Sequence, residues 1–194
     1  MTDGPLIVGV AGSRRDGSHT RTAVERVLDA CETAGAETDL LALGDVSLPL
    51  YHPDREADER GEAAALIARV EAADGVVFGS PVYHGTISST LKNFHDYCGY
   101  DEYEDTAIGL LAVAGGASYG ATLEHMRATI RSVHGNCIPE QLGIANVDGA
   151  FDDRGAFADE SLAERATAFA ESLVARADRT RSADAATLAD PADD

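Results

Sequence analysis

The chain has 194 residues, 44% of them hydrophobic, which is enough for one well-buried core and short for two. Its 34 acidic residues against 15 basic ones give a formal net charge of -19, which argues against nucleic acid as a partner. No run approaches the ~20 apolar residues of a membrane helix. Cys31, Cys98 and Cys137 lack the spacing of a metal site or a disulfide framework and are expected to be reduced and buried.

The basic residues are 14 arginines and the single Lys92. A surface this acidic repels itself at low ionic strength and is relieved by screening, which predicts a salt-adapted protein. The N-terminus runs into a strand-like "PLIVGVAGS" with no basic leader before it, so a cytoplasmic location is expected, without membrane association.

In chain order, hydrophobic runs bounded by small residues alternate with segments of helical period. That alternation predicts an α/β fold whose parallel sheet carries crossover helices on both faces. "LIVGVA" (6–11) reads as the first strand. The helix over 19–34 follows, with Val24, Val27, Leu28 and Cys31 at spacings of three and four. "TDLLAL" (38–43) is the second strand, then comes a polar, proline-containing loop, 44–60, and a helix at 61–73. "GVVFGS" (75–80) precedes a helix at 87–98, and "AIGLLAVA" (107–114) precedes one at 119–134. "IPEQLGIANV" (138–147) is the fifth strand, with Pro139 suited to its start. A last helix is expected over 159–177, so the domain spans 1–178. The Ala- and Asp-rich 179–194 reads as a disordered acidic tail.

Three loops stand directly after predicted strand ends, where open α/β sheets place their ligands. "AGSRRDGSHT" (11–20) offers the hydroxyls of Ser13, Ser18 and Thr20, the guanidinium groups of Arg14 and Arg15, and amides at a helix start, a set suited to an anion. Ser18 would also serve as a plain N-cap with no ligand. The loop is neither a dinucleotide GxGxxG nor a GxxxxGK[ST] P-loop, which disfavours ATP or GTP chemistry. "SPVYHG" (80–85) presents Ser80, Pro81, Val82, Tyr83, His84 and Gly85 as a wall for something flat. Tyr83 would otherwise be a half-buried core side chain and His84 a solvent-facing one. In "AGGAS" (114–118), Gly115 and Gly116 let a ligand approach the backbone. Lys92 and Asn93 are expected to tie their helix to the neighbouring loop.

The "GSxRxxS" loop, "SPxYxxxxxxxLKNxxDY" after the third strand and "GGxxxG" after the fourth, in that order over residues 5–175, resemble the NADPH-dependent FMN reductase family. Two positions depart from the family pattern: Ser89 stands where glycine is usual, and Thr20 where many members carry asparagine. The resemblance implies a flavodoxin-like three-layer sandwich with a five-stranded parallel sheet. It implies FMN as cofactor, with its phosphate at Ser13, Arg15, Ser18, His19 and Thr20. The isoalloxazine would lie along Pro81, Val82, Tyr83, His84 and Gly85 and against Ala114, Gly115 and Gly116. It further implies NADPH or NADH as co-substrate, a small-molecule electron acceptor (quinone, azo, nitro, metal oxyanion or flavin) and a homodimer or homotetramer. No catalytic side chain and no metal is expected. A flavodoxin-like electron carrier and a ligand-sensing module are the alternatives. The segment "HDYCGYDEYEDTAIG" (95–109), with Tyr97, Cys98, Tyr100 and Tyr103, is the expected assembly surface.

Overall fold

The computed structural model describes residues 4–56 and 59–189, the last six of these by their backbone alone. The elements are β1 (Leu6–Ala11), α1 (His19–Thr33), β2 (Glu37–Ala42), α2 (Ala63–Glu71), β3 (Gly75–Pro81), α3 (Ser89–Tyr97), β4 (Ala107–Val113), α4 (Gly120–Ser132), β5 (Asn136–Ile144) and α5 (Glu160–Ala189). The strands pair in parallel throughout, in the order β2-β1-β3-β4-β5. The chain leaves β1 toward β2 on one side and returns to β3 on the other, so a crevice opens at the C-terminal ends of β1 and β3.

Side chains alternate across the strands and build two cores. Ile7, Ala11, Val77, Leu111 and Val113 face α1 and α5, packing with Val24, Val27, Leu28, Phe169 and Leu173. Val8, Val10, Val76, Phe78, Ile108 and Leu110 face α2, α3 and α4, packing with Leu66, Val70, Leu91, Phe94, Met126 and Ile130. β3 and β4 are buried along their whole length, which fits their place inside the sheet. On the first face, Gly9 and Gly79 leave room for α1: a Cβ on Gly9 would sit 2.6 Å from Val24 Cγ1, and one on Gly79 would collide with the other Val24 methyl.

Four features differ from the sequence expectation. β5 begins at Asn136, and Pro139 lies inside it. Pairing jumps from Cys137 opposite Ile108 to Gln141 opposite Leu110, so Pro139 occupies a bulge that needs no ladder N–H. Arg127 on α4 donates to the Ile138 carbonyl at 2.9 Å and steadies that bulge. α5 continues to Ala189, so 179–189 is helical where the composition pointed to disorder; 190–194 lie outside the described residues. Tyr97, Cys98 and Tyr103 are buried within the chain, which leaves Tyr100 as the exposed member of the supposed assembly set. Lys92 pairs with Asp96 on its own helix, while Asn93 does tie α3 to the preceding loop: its Nδ2 donates to the Pro49 carbonyl at 2.8 Å and its Oδ1 accepts from the Tyr51 amide at 2.8 Å.

The thiols are free, with Cys31 and Cys98 buried and Cys137 partly so. Burial pushes Cys31 and Cys98 up to about 12 and Cys137 up to about 11, so none is a thiolate at neutral pH.

His95 sits under the sheet with Nδ1 2.8 Å from the Tyr103 hydroxyl. Burial lowers its pKa from 6.5 and Lys92 adds to this, while a backbone hydrogen bond at Thr129 and the charge of Asp96 oppose it. The unfolded chain therefore takes up this proton first as pH falls. The contribution of His95 is fully present above the unfolded value and is lost progressively below it. Urea unfolding midpoints should fall as pH drops from about 7 to about 5, and His95→Gln should flatten that dependence. An unchanged slope in the variant would place the titration elsewhere.

Candidate functional site

The loop after β1 forms one wall of an open hollow of about 290 Å³, lined by Ser13, Arg14, Arg15, Gly17, Ser18, Arg21 and Thr22 and, from the end of β2, Gly44 and Asp45. Its shape follows from local chemistry. Ser18 caps α1, its Oγ accepting from the Arg21 amide at 3.2 Å. Ser13 Oγ accepts from the Arg15 amide at 3.3 Å. The amides of His19 and Thr20, in the first turn of α1, have no helical carbonyl behind them and present partial positive charge at the helix start. Arg21 is paired with Glu25 at 3.0 Å and Asp45 at 2.7 Å on the rim. Arg14 and Arg15 are exposed and, among the described residues, have no carboxylate partner. Asp16 and Glu25 also line the hollow, which therefore holds three arginines and three carboxylates; Arg21 takes up Glu25 and Asp45, so Arg14 and Arg15 keep guanidinium groups open to a ligand beside a helix N-terminus.

The second loop is joined to the first through buried hydroxyls. The Ser88 hydroxyl donates to the Gly12 carbonyl and accepts from the Leu91 amide at 3.0 Å, capping α3. The Ser88 amide in turn donates to Ser80 Oγ at 3.0 Å. Between these anchors the chain makes a tight hairpin. The Tyr83 amide donates to the Thr86 carbonyl at 3.0 Å, and the Thr86 amide donates back at 3.1 Å. His84 (φ 51°) and Gly85 (φ 78°) occupy its two central positions, the paired positive φ values of a type I′ turn. Pro81 is buried, Val82 half-buried with its amide bonded to the Val113 carbonyl at 2.8 Å, and Tyr83 is 48% exposed. Tyr83 is therefore not a core side chain.

The third loop leaves β4 through Ala114, which is buried; its amide bonds to the Ile144 carbonyl at 2.8 Å. A Cβ on Gly115 or Gly116 would meet nothing within 4 Å, so open space adjoins this backbone. The Gly116 carbonyl accepts from the Asn146 amide at 3.0 Å, with Asn146 itself left-handed at φ 48°.

The structure thus brings the three loops to one end of the sheet. Ser13, Arg15 and Ser18 line the hollow. His19 and Thr20 do not: the His19 ring lies 5.9 Å from that of Phe151, and Thr20 is 2% exposed with its methyl beside Gly79. Arg14 belongs to the hollow together with Arg15. A larger surface depression of about 530 Å³ lies along the first half of β5 and α5, at the opposite end of the strands and away from these loops. Sequence reasoning missed the locking role of Ser88, although "SSTL" before a helix carries an N-cap signal. It also missed His125, whose ring reaches Thr86 from 39 residues away and which has no local signature.

A parallel sheet in the order β2-β1-β3-β4-β5, with helices on both faces and open loops at its strand ends, is the flavodoxin-like fold. The family model of the NADPH-dependent FMN reductases matches residues 5–149, and the chain belongs to that family. It is an FMN-dependent NAD(P)H oxidoreductase. An NADPH azoreductase of Bacillus sp. (strain OY1-2) is 34% identical over 137 residues, covering 70% of this chain and 74% of the relative. The FMN-dependent NADPH-azoreductase of Staphylococcus aureus (strain USA300) is 28% identical over 173 residues, 85% of this chain and 91% of the relative. Among solved structures, the flavoenzyme NAD(P)H:(acceptor) oxidoreductase from Paracoccus denitrificans superposes with a TM-score of 0.76 at 21% identity, covering 91% of this chain and 98% of that one.

The link between the first two loops is open to a direct test. Ser88→Ala removes the α3 cap and strips a buried carbonyl of a donor, for a combined loss of about 2–4 kcal/mol in unfolding free energy. Ser88→Thr, which keeps the hydroxyl, should recover most of it. A loss under about 0.5 kcal/mol in the alanine variant would show that the loops are held some other way.

Proposed function

We propose that the hollow receives the phosphate of FMN and that the flavin ring lies between the Tyr83–Thr86 hairpin and the Gly115–Gly116 backbone. The observation that carries this is the pair of unpaired arginines, Arg14 and Arg15, at the start of α1 in an otherwise strongly acidic chain. The site's chemistry fits the group: hydroxyls and amides for a phosphate, exposed backbone and a tyrosine face for a planar ring, and no side-chain nucleophile. Bound FMN supplies a two-electron relay between NADPH and an acceptor. The protein binds the phosphate through Ser13, Arg15 and Ser18, orients the ring, and leaves one face open for donor and acceptor in turn. Arg14, free of the phosphate in this assignment, is available to the phosphates of NADPH. His19 and Thr20 contribute backbone amides rather than side chains.

The acceptors we assign are azo compounds and quinones. The azo group follows the names of the relatives, and both are flat, conjugated molecules able to stack on an open ring face. A carrier without substrates of its own is the contrasting function, and the reaction with NADPH separates the two. Purified protein should release FMN on denaturation, and NADPH should bleach its yellow colour rapidly without air. Persistent colour under NADPH would point to the carrier, and absence of flavin together with no uptake by the apoprotein would remove the assignment. Arg15→Ala should weaken FMN binding about 10- to 150-fold, the equivalent of one charge-assisted contact of ~1.5–3 kcal/mol. An unchanged dissociation constant would transfer the contact to Arg14.

We further propose a cytoplasmic location and a salt-rich setting: the free, largely buried thiols support the first and the net charge of -19 the second. Leu50 at 78% and Tyr100 at 57% exposure are apolar groups available for a homo-oligomer, dimer or tetramer. The Debye length shrinks from about 30 Å at 0.01 M to about 3 Å at 1 M, so self-repulsion is largely screened at molar salt. Melting temperature should therefore rise with KCl from about 0.05 to 2 M, and light scattering on the same samples should give a multiple of the chain mass. A flat or falling melting curve would refute salt adaptation, and a monomer mass at molar salt would refute assembly.

A further inference from the structure

The hairpin between Pro81 and Ser88 has a pinned base and a bare tip. At its base stand the Val82 amide on the Val113 carbonyl and the Ser88 amide on Ser80 Oγ. Along Tyr83, His84, Gly85 and Thr86, the one side-chain hydrogen bond among the described residues is that of the Thr86 hydroxyl with His125 Nδ1. His125 lies on the exposed side of α4, the helix that follows the Gly115–Gly116 loop. This contact joins the wall on one side of the site to the helix that carries the other side. We infer that His125 is a positioning residue that sets the height of the Tyr83–Thr86 hairpin over the flavin. The inference rests on the FMN assignment for its functional part and on the hydrogen bond alone for its structural part.

A threonine hydroxyl both donates and accepts, so the tie forms with either tautomer of the ring. His84 adds a reason for having it: a non-glycine residue at φ 51° carries a modest backbone cost, which an outside contact helps to offset.

The substitutions suit a clean experiment because His125 is exposed and lies on a helix held by Leu123, Met126 and Ile130. Asparagine places a polar atom near the position of Nδ1, whereas leucine offers none. In the apoprotein, hydrogen exchange at the Tyr83 and Thr86 amides should rise about 2- to 12-fold in His125→Leu, the range expected for losing one hydrogen bond, and stay near wild type in His125→Asn. Thr86→Val should raise exchange to the same degree, and the double variant should add nothing further. In the holoprotein, His125→Leu should weaken FMN by a similar factor and change the visible circular dichroism of the bound flavin, with asparagine again restoring both. Unchanged exchange in His125→Leu would overturn the tie whether or not the protein binds FMN. Raised exchange with an unaltered FMN constant and spectrum would overturn the positioning role. Failure of the wild type to bind FMN is a separate result, visible before any variant is made, and counts against the cofactor assignment.

Discussion

The close approach of α1 to the sheet governs everything built above it. Val24 rests where the Cβ atoms of Gly9 and Gly79 would be, on two neighbouring strands whose chain connections diverge. Any larger residue at either position would lift the helix, and with it the cap at Ser18 and the amides that face the hollow. From that contact the site extends by short links: Gly12 bonds to the Gly79 carbonyl at 2.8 Å, and the Ser88 hydroxyl reaches back to the Gly12 carbonyl. The loops after β1 and β3 are thus one bonded unit whose geometry is set by packing in the core.

That arrangement also explains why the chain offers little reactive chemistry of its own. Its thiols are kept protonated by burial, and its one buried histidine is bound to a tyrosine beneath the sheet, far along α3 from the strand ends. What reaches the site is charge and shape. Arg14 and Arg15 stand out by position, side by side at the strand-end hollow, while its third arginine, Arg21, is engaged with Glu25 and Asp45. Hydride chemistry asks a protein for alignment more than for acid or base, and the open backbone at Gly115 and Gly116 supplies access for stacking.

Much of this was legible in the sequence because the signals were local. β1 falls on the residues that the apolar run "LIVGVA" marks, and β3 and β4 differ from expectation by one residue at an end. The strand-end loops followed from position alone, since a parallel sheet places its ligands there. The differences have mixed causes, some of them non-local. Pro139 looked like a strand start because proline ends ladders, yet a bulge braced by Arg127 accommodates it within β5. α5 runs on through an Ala-rich stretch whose one large apolar residue is Leu188, where helix propensity outweighed the disorder signal. Tyr97 and Tyr103 looked like surface aromatics among acids, but α3 and the turn at Asp101–Tyr103 fold them inward onto Pro49 and Phe78. Thr20, read as a hydroxyl for the phosphate, is buried with its methyl beside Gly79.

The bulge in β5 has a bearing on how the molecule would behave at high ionic strength. Acidic proteins keep their distance through charge, and concentrated salt removes that protection along with the internal repulsion. An outer strand is then free to recruit the edge of another molecule and begin a growing stack. Here that edge is interrupted by an exposed proline without an amide proton and by a three-residue stretch, 138–140, that is out of step with the ladder. Such a defence is geometric, so it is as effective in molar KCl as in dilute buffer. It would let the surface collect carboxylates for hydration without relying on them to prevent aggregation.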